Sequence, residues 1–267
     1  MSNTGSHVLY ADEDYAVFYK PAGMPSAPLT PDDTNNALYE ASKEYPRLLS
    51  VVSKYKEIEK GLIHRIDTNT SGLILFAGNQ RSYDALVLQQ EKNEFIKYYT
   101  AIVKESSSDM HQGQGKKGFP PCPYSYFSLP LLVKSSFRKF GPGGKEVRPA
   151  VMEHMSYYAK IKSVPFEYET ELSTLEPVFL SKTASVLKVC CKITKGFRHQ
   201  VRCHLSWLGL PIVGDEVYGV KNSDVLLNNK MLFAAHALEF FSPGTNQRVS
   251  YTIESCLDSI FFTSESR

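Results

Sequence analysis

Gly61-Leu62-Ile63-His64-Arg65-Ile66-Asp67-Thr68-Asn69-Thr70-Ser71-Gly72-Leu73-Ile74-Leu75-Phe76 changes character halfway along. His64 to Ser71 places His, Arg, Asp, Thr, Asn, Thr and Ser in eight positions. Leu73 to Ala77 is a short apolar run of the length of a buried strand. A carboxylate flanked by Arg and two Thr, with a glycine leading into a core strand, is how a reactive loop is held against a scaffold. The same residues also suit an ordinary loop in which the Asp side chain caps a turn.

The 267 residues suit one large domain or two small ones, with length enough for a real core. Hydrophobic residues make up 42% and charged residues 22%, which excludes a disordered chain. No apolar run is long enough for a membrane-spanning helix, and Met1 to His7 lacks the apolar core of a secretory signal. Five cysteines, an odd number with no C-x-x-C pair, argue against a disulfide framework or zinc finger and point to a reducing cytoplasm. The net charge of +2 rules out nucleic-acid binding by bulk charge. Residues 104–149, however, hold eight Lys/Arg against three acids. Such a basic element could supply phosphate contacts.

Read outward from the loop, Val8-Leu9-Tyr10 and Tyr15 to Tyr19 form a hairpin that Pro21 ends. Thr34 to Tyr45 reads as a helix, and Asn79 caps a second running to about Lys92. Phe95 to Val103 is a strand with Lys97 and Tyr99 on one face and Tyr98 on the other. Six Gly and six Pro make residues 104–149 a long irregular insertion with little regular structure. Glu167–Thr174 and Ser185–Thr194 alternate as strands. A helix after Gly196 would put Arg198 and Arg202 on one face and Val201, Leu205 and Leu208 toward the core.

His64-Arg65-Ile66-Asp67-Thr68-Asn69-Thr70-Ser71-Gly72-Leu73 resembles the signature H-R-L-D-x-x-T-S-G-L of the RluA-type pseudouridine synthases. Further resemblances span most of the chain. Lys20-Pro21-Ala22-Gly23 is similar to K-P-x-G, and Lys97 to Val103 to K-x-Y-x-A-x-V. Gly196 to Leu205 is similar to G-R-T-H-Q-I-R-x-H-L, with Phe197 and Arg198 departing from it, and Leu208 to Gly219 to L-G-x-P-I-x-G-D-x-x-Y-G. Residues 234–243 resemble the late H-A-x-x-L-x-F strand. Val147 and Arg148 depart from the family's pattern before that point. Fewer than 20 residues precede the Lys-Pro motif, so the small N-terminal S4 domain of many relatives is not expected.

The resemblance implies a single α+β catalytic domain over residues 1–267, with a central mixed, mostly antiparallel sheet flanked by helices and loops. It implies isomerisation of uridines in structured ribosomal or transfer RNA, with no cofactor and no metal. By the same resemblance Asp67 is the nucleophile, and Arg65, Tyr99 and Arg202 bind uridine or RNA, Arg202 being the cation paired with Asp67. His64, Thr70, His199 and Gln200 support them. The glycine-rich Leu208–Gly219 motif reads as scaffold and His236 as structural. No obligatory protein partner and no membrane is expected, and the compartment is the cytoplasm. Two other readings of the residues compete. A metal-dependent hydrolase would use His64, Asp67, His199 and His204, at spacings imperfect for a compact site. An RNA-binding protein of the same fold, catalytically inactive, would have to explain the intact Asp67, Tyr99 and Arg202.

Overall fold

The structure, a computed structural model, describes residues 5–104, 118–124, 128–151, 163–179, 185–219 and 230–253. Its strands are β1 (His7–Ala11), β2 (Tyr15–Lys20), β3 (Ser71–Ala77), β4 (Ile96–Val103), β5 (Leu131–Phe140), β6 (Glu146–Ala150), β7 (Tyr168–Phe179), β8 (Ser185–Ile193), β9 (Phe233–Phe241) and β10 (Arg248–Thr252). Its α-helices among the described residues are α1 (Ala37–Glu44), α2 (Gln80–Glu91) and α3 (Gln200–Trp207). The class is the expected α+β, with mixed, mostly antiparallel strand pairing. The chain divides into two compact units, residues 1–98 with 234–255 and residues 99–233 with 256–267. The division falls inside β4 and β9.

The first unit is built on β3. All seven of its residues are buried, as the apolar run requires. It pairs antiparallel with β2 on one side and parallel with β9 on the other, where Ser71 and Gly72 lie opposite Ala234 and Ala235. Gly72 has φ +130°, and any side chain there would collide with the backbone of Ala235. The glycine is therefore what lets β3 and β9 approach. β1 and β2 form the expected hairpin, and the Asp12 carboxylate accepts the N–H groups of Asp14 and Tyr15 at its turn. Tyr15, Val17, Leu73, Leu75, Tyr83, Leu86, Phe95 and Phe240 are among the side chains of its core.

Both helices of this unit begin at asparagines. Asn79 accepts the Ser82 N–H, as expected. Asn36 accepts the Tyr39 N–H, so α1 starts at Ala37, three residues after Thr34. An extended Asn36 satisfies the first helical donors better than a helical Thr34 could.

In the second unit the strand order is β8-β7-β5-β6, antiparallel throughout. Here the reading of 104–149 as irregular is corrected: β5 and all but the last residue of β6 lie inside it. Val133, Ser135 and Phe137 are buried at alternate positions, the period of a half-buried strand. The glycines that suggested an irregular insertion make the hairpin turn, with Gly141, Gly143 and Gly144 all at positive φ. Residues 105–117, which hold two of the eight basic residues of that stretch and two of its three acids, fall outside the described residues.

The helix after Gly196 also departs from expectation. It starts at Gln200, behind His199 in the left-handed conformation (φ +56°). Arg198 is consequently not on the helix and donates to the carbonyls of Gly144 and Lys145. All eight residues of α3 are buried, so it has no solvent face. Among the described residues no helix is long and apolar enough to cross a membrane.

Candidate active site

In the first unit the loop His64–Thr70 is an excursion closed at its base. Ile63 N–H donates to Leu75 O at 3.0 Å, and Leu62 bridges Phe76. The loop turns on itself through Thr70 N–H to Asp67 O, 3.0 Å. The Lys-Pro stretch clamps it from outside. Ser26 Oγ donates to Ile66 O at 2.7 Å and accepts Ile66 N–H, while Gly23 N–H donates to Thr68 O at 2.8 Å. Asp67 is thus carried, half-buried, on a loop whose backbone is pinned on both sides.

Beneath that loop lies a residue the sequence reading left as part of a motif. Lys20 is fully buried, and its ammonium donates to Pro21 O, Met24 O and Thr68 O at 3.0, 2.7 and 3.0 Å. Burial pushes its pKa down to about 7, while the negative charge of Asp67 pulls it up. The three carbonyls match the three N–H bonds of an ammonium, which a neutral amine could not supply, and the geometry therefore supports the charged form. Its signal in the sequence was a lysine at the end of a buried strand, immediately before proline.

Arg65 extends outward, with Nη1 on Glu59 Oε1 at 2.9 Å and more than half of its side chain exposed. His64 points inward. Its ring lies 5.2 Å from that of Phe95, and both ring nitrogens are buried without a partner among the described residues. Burial, and secondarily the charge of Lys97, depress its pKa to about 3, so the ring is neutral. Lys97 is buried as well, which lowers its pKa to about 7; its ammonium sits 5.0 Å over the Phe95 ring. The Thr70 hydroxyl is likewise buried with no partner among the described residues.

In the second unit Tyr99 is buried and stacked on Phe233, with centroids 5.2 Å apart and planes 14° from parallel. Arg202, on α3, is also buried. Its Nε and Nη2 donate to Oδ2 and Oδ1 of Asp215, both at 2.8 Å. Burial alone would raise the Asp215 pKa. The Arg202 guanidinium and the N–H groups of Tyr218 and Val217 outweigh it and hold the carboxyl below the usual carboxylate range. Asp215 was placed in the scaffold motif, and the structure moves it next to a candidate site residue. Two of the residues read as supporting, Gln200 and His199, make hydrogen bonds within this unit. Gln200 accepts Phe197 N–H and donates to Glu169 O and Thr170 Oγ1, tying the start of α3 to β7. His199 Nδ1 lies 3.2 Å from the Tyr218 hydroxyl. His204, a ligand in the hydrolase reading, has both ring nitrogens on hydroxyls, Ser135 at 2.9 Å and Thr170 at 2.8 Å.

Comparison with known proteins gives the family to which this fold belongs. Residues 14–207 match the family model described as RNA pseudouridylate synthase. "Ribosomal large subunit pseudouridine synthase C" of Buchnera aphidicola subsp. Baizongia pistaciae is 26% identical, over 96% of this chain and 68% of its own length. "tRNA pseudouridine synthase C" of Haemophilus ducreyi is 25% identical, over 94% of this chain and 90% of its own. Among solved structures, human RNA Pseudouridylate Synthase Domain Containing 1 superposes with a TM-score of 0.65 at 17% identity, covering 98% of this chain and 89% of that one. The chain belongs to the RNA pseudouridylate synthase family, in its RluA-type branch.

Proposed function

We propose that this isomerase converts a uridine in structured ribosomal or transfer RNA to pseudouridine with Asp67 as its nucleophile. That it is an RNA pseudouridine synthase follows from its family. The reaction breaks the N1–C1′ bond and joins C5 to C1′; C5 loses a proton and N1 gains one. Nothing is added or removed overall, so the task falls to a carboxylate able to act covalently and to groups that hold the base. The target base leaves its stack to reach such a carboxylate.

The observation that carries Asp67 is its mounting. The loop backbone is fixed from outside by Ser26 and Gly23 and from beneath by Lys20, while Asp67 itself is only partly buried. A nucleophile needs that combination of a fixed backbone and a reachable side chain. By resemblance, Tyr99 stacks against the uracil and Arg202 serves the same uridine; both are buried and held by neighbours. Arg65, more than half exposed, suits a contact with RNA phosphate. The relatives named for large-subunit ribosomal RNA and for tRNA support that class of target, and such a target suits an enzyme of the cytoplasm.

The test is pseudouridine mapping of total RNA, by carbodiimide adducts that stop reverse transcription, in cells with the native chain and with Asp67→Asn. We expect one or a few sites to disappear, and purified Asp67→Asn to lose at least about 10³-fold in activity with its Tm unchanged. Normal turnover by that variant would remove Asp67 from the chemistry. A native chain that binds RNA yet modifies none would favour the inactive RNA-binding reading.

A further inference from the structure

The turn from Gly214 to Gly219 reads from sequence as scaffold, yet two of its side chains converge on Arg202. Asp215 takes the guanidinium edge-on through Nε and Nη2. The ring of Tyr218 lies 5.4 Å from the guanidinium carbon, within the range of a cation–π contact. Both are fixed in turn. Asp215 Oδ1 accepts the N–H groups of Val217 and Tyr218 at 2.9 and 3.0 Å. The Tyr218 hydroxyl accepts Val147 N–H at 2.9 Å and donates to Val147 O at 3.1 Å, and Ser206 Oγ donates to Tyr218 O. The chain of support therefore runs from β6 through Tyr218 to Asp215, and back onto α3.

We propose that Asp215, with Tyr218 behind it, is a positioning residue that sets the plane and direction of the Arg202 guanidinium for the reaction. The proposal rests on the reading of Arg202 as a site residue. A bidentate pair fixes both the plane of a guanidinium and its rotation, which a single hydrogen bond or a bulk charge does not. Asp215 uses one edge of the group, and so determines where the Nη1 edge is aimed. Stability is a weak reason for such a pair. Two buried charges incur a desolvation cost comparable to their attraction, and apolar replacements of equal volume often serve as well. An arginine at this place has four side-chain torsions to restrain, and the turn restrains them before any RNA arrives.

The test uses the purified full chain and RNA labelled with 5-tritiated uridine, extracted from cells carrying Asp67→Asn. Release of tritium from C5 is followed at a temperature well below each variant's Tm. For Asp215→Asn we expect kcat to fall on the order of 10- to 100-fold while KM changes less than about threefold. The double variant Arg202→Ala/Asp215→Asn should be no slower than Arg202→Ala alone, because Asp215 acts only through Arg202. If Asp215→Asn does not fold, Asp215→Glu retains the ion pair but displaces the carboxylate by one methylene. Loss of kcat in that folded variant supports positioning, because a purely structural ion pair would tolerate the change. Full kcat in folded Asp215→Asn or Asp215→Glu, or independent, multiplying losses in the double variant, would overturn the proposal. Full activity of Arg202→Ala would instead remove Arg202 from the site, and that outcome is distinguishable because Asp67→Asn would still be inactive.

Discussion

The Asp67 loop and the Arg202 cradle hold their charged groups by opposite means. Around Arg202 the polar groups answer one another: guanidinium to carboxylate, carboxylate to two N–H groups, tyrosine hydroxyl to both polar atoms of Val147. Around Asp67 it is the path of the main chain that is held. Lys20, Gly23 and Ser26 bind main-chain atoms, while the Thr70 hydroxyl and both His64 nitrogens have no partner among the described residues. Buried polar groups are seldom left so, because each costs about 1–3 kcal/mol. One region is built as a finished support. The other has a fixed path and unspent hydrogen-bonding capacity beside the residue assigned to the chemistry.

Lys20 offers the sharpest way to separate support from chemistry. Lys20→Met removes a buried ammonium that binds three part-buried carbonyls, and should cost roughly 2–4 kcal/mol, lowering the Tm by on the order of 5–10 °C. Its turnover, measured well below that Tm, should change far less than that of Asp67→Asn. Thermal unfolding followed by circular dichroism gives the first number and tritium release the second. A Lys20→Met protein with unchanged Tm and no turnover would reverse the comparison and make Lys20 part of the chemistry.

Much of this was legible before the fold was known. The strand β3, the cap at Asn79 and the hairpin β1–β2 each follow from local patterns whose period or turn chemistry admits little else. The motif around Asp67 identified its loop. Other features needed tertiary structure. Glycines 141, 143 and 144 read as part of an irregular insertion because a hairpin turn and an irregular loop share a composition; only the burial of Val133 and Phe137 separates them. Arg198 and Arg202 lie four apart, and nothing local says that the helix begins between them, at a left-handed His199. Lys20 and Asp215 were visible in motifs, but their partners lie 48 and 13 residues away, beyond what spacing can reveal.

The two buried histidines extend the comparison to pH. Burial lowers the pKa of His204 from the ordinary 6.5 to about 3, and that of His64 to about 3 with Lys97 contributing. In each case the unfolded chain takes up a proton below pH 6.5 that the folded chain refuses. Stability is therefore intact above that pH and declines as pH falls toward 3, by up to about 1.4 kcal/mol per pH unit for each ring. At pH 5 the loss is about 2 kcal/mol per histidine. His204→Gln should have a shallower decline of Tm between pH 7 and 5 than the native chain, even if it starts lower. Equal slopes would mean that His204 becomes protonated within the fold, and that its bonds to Ser135 and Thr170 rearrange.

The smallest expected effect tests the unanswered side of the comparison. Thr70→Val keeps the shape of the side chain and replaces its hydroxyl by a methyl group. If that buried hydroxyl lacks a partner in the free protein, its removal relieves a desolvation cost, and the variant should gain about 0.5–1 kcal/mol. The same change removes hydrogen-bonding capacity from the loop that carries Asp67, so kcat/KM should fall several-fold although the Tm rises. The two readings come from one protein preparation and move in opposite directions, which no general loss of folding can imitate. A lower Tm would show that the hydroxyl is already bonded before RNA binds. A higher Tm with undiminished kcat/KM would show that the loop's spare polarity plays no part in turnover, leaving its pinned backbone as the whole of its contribution.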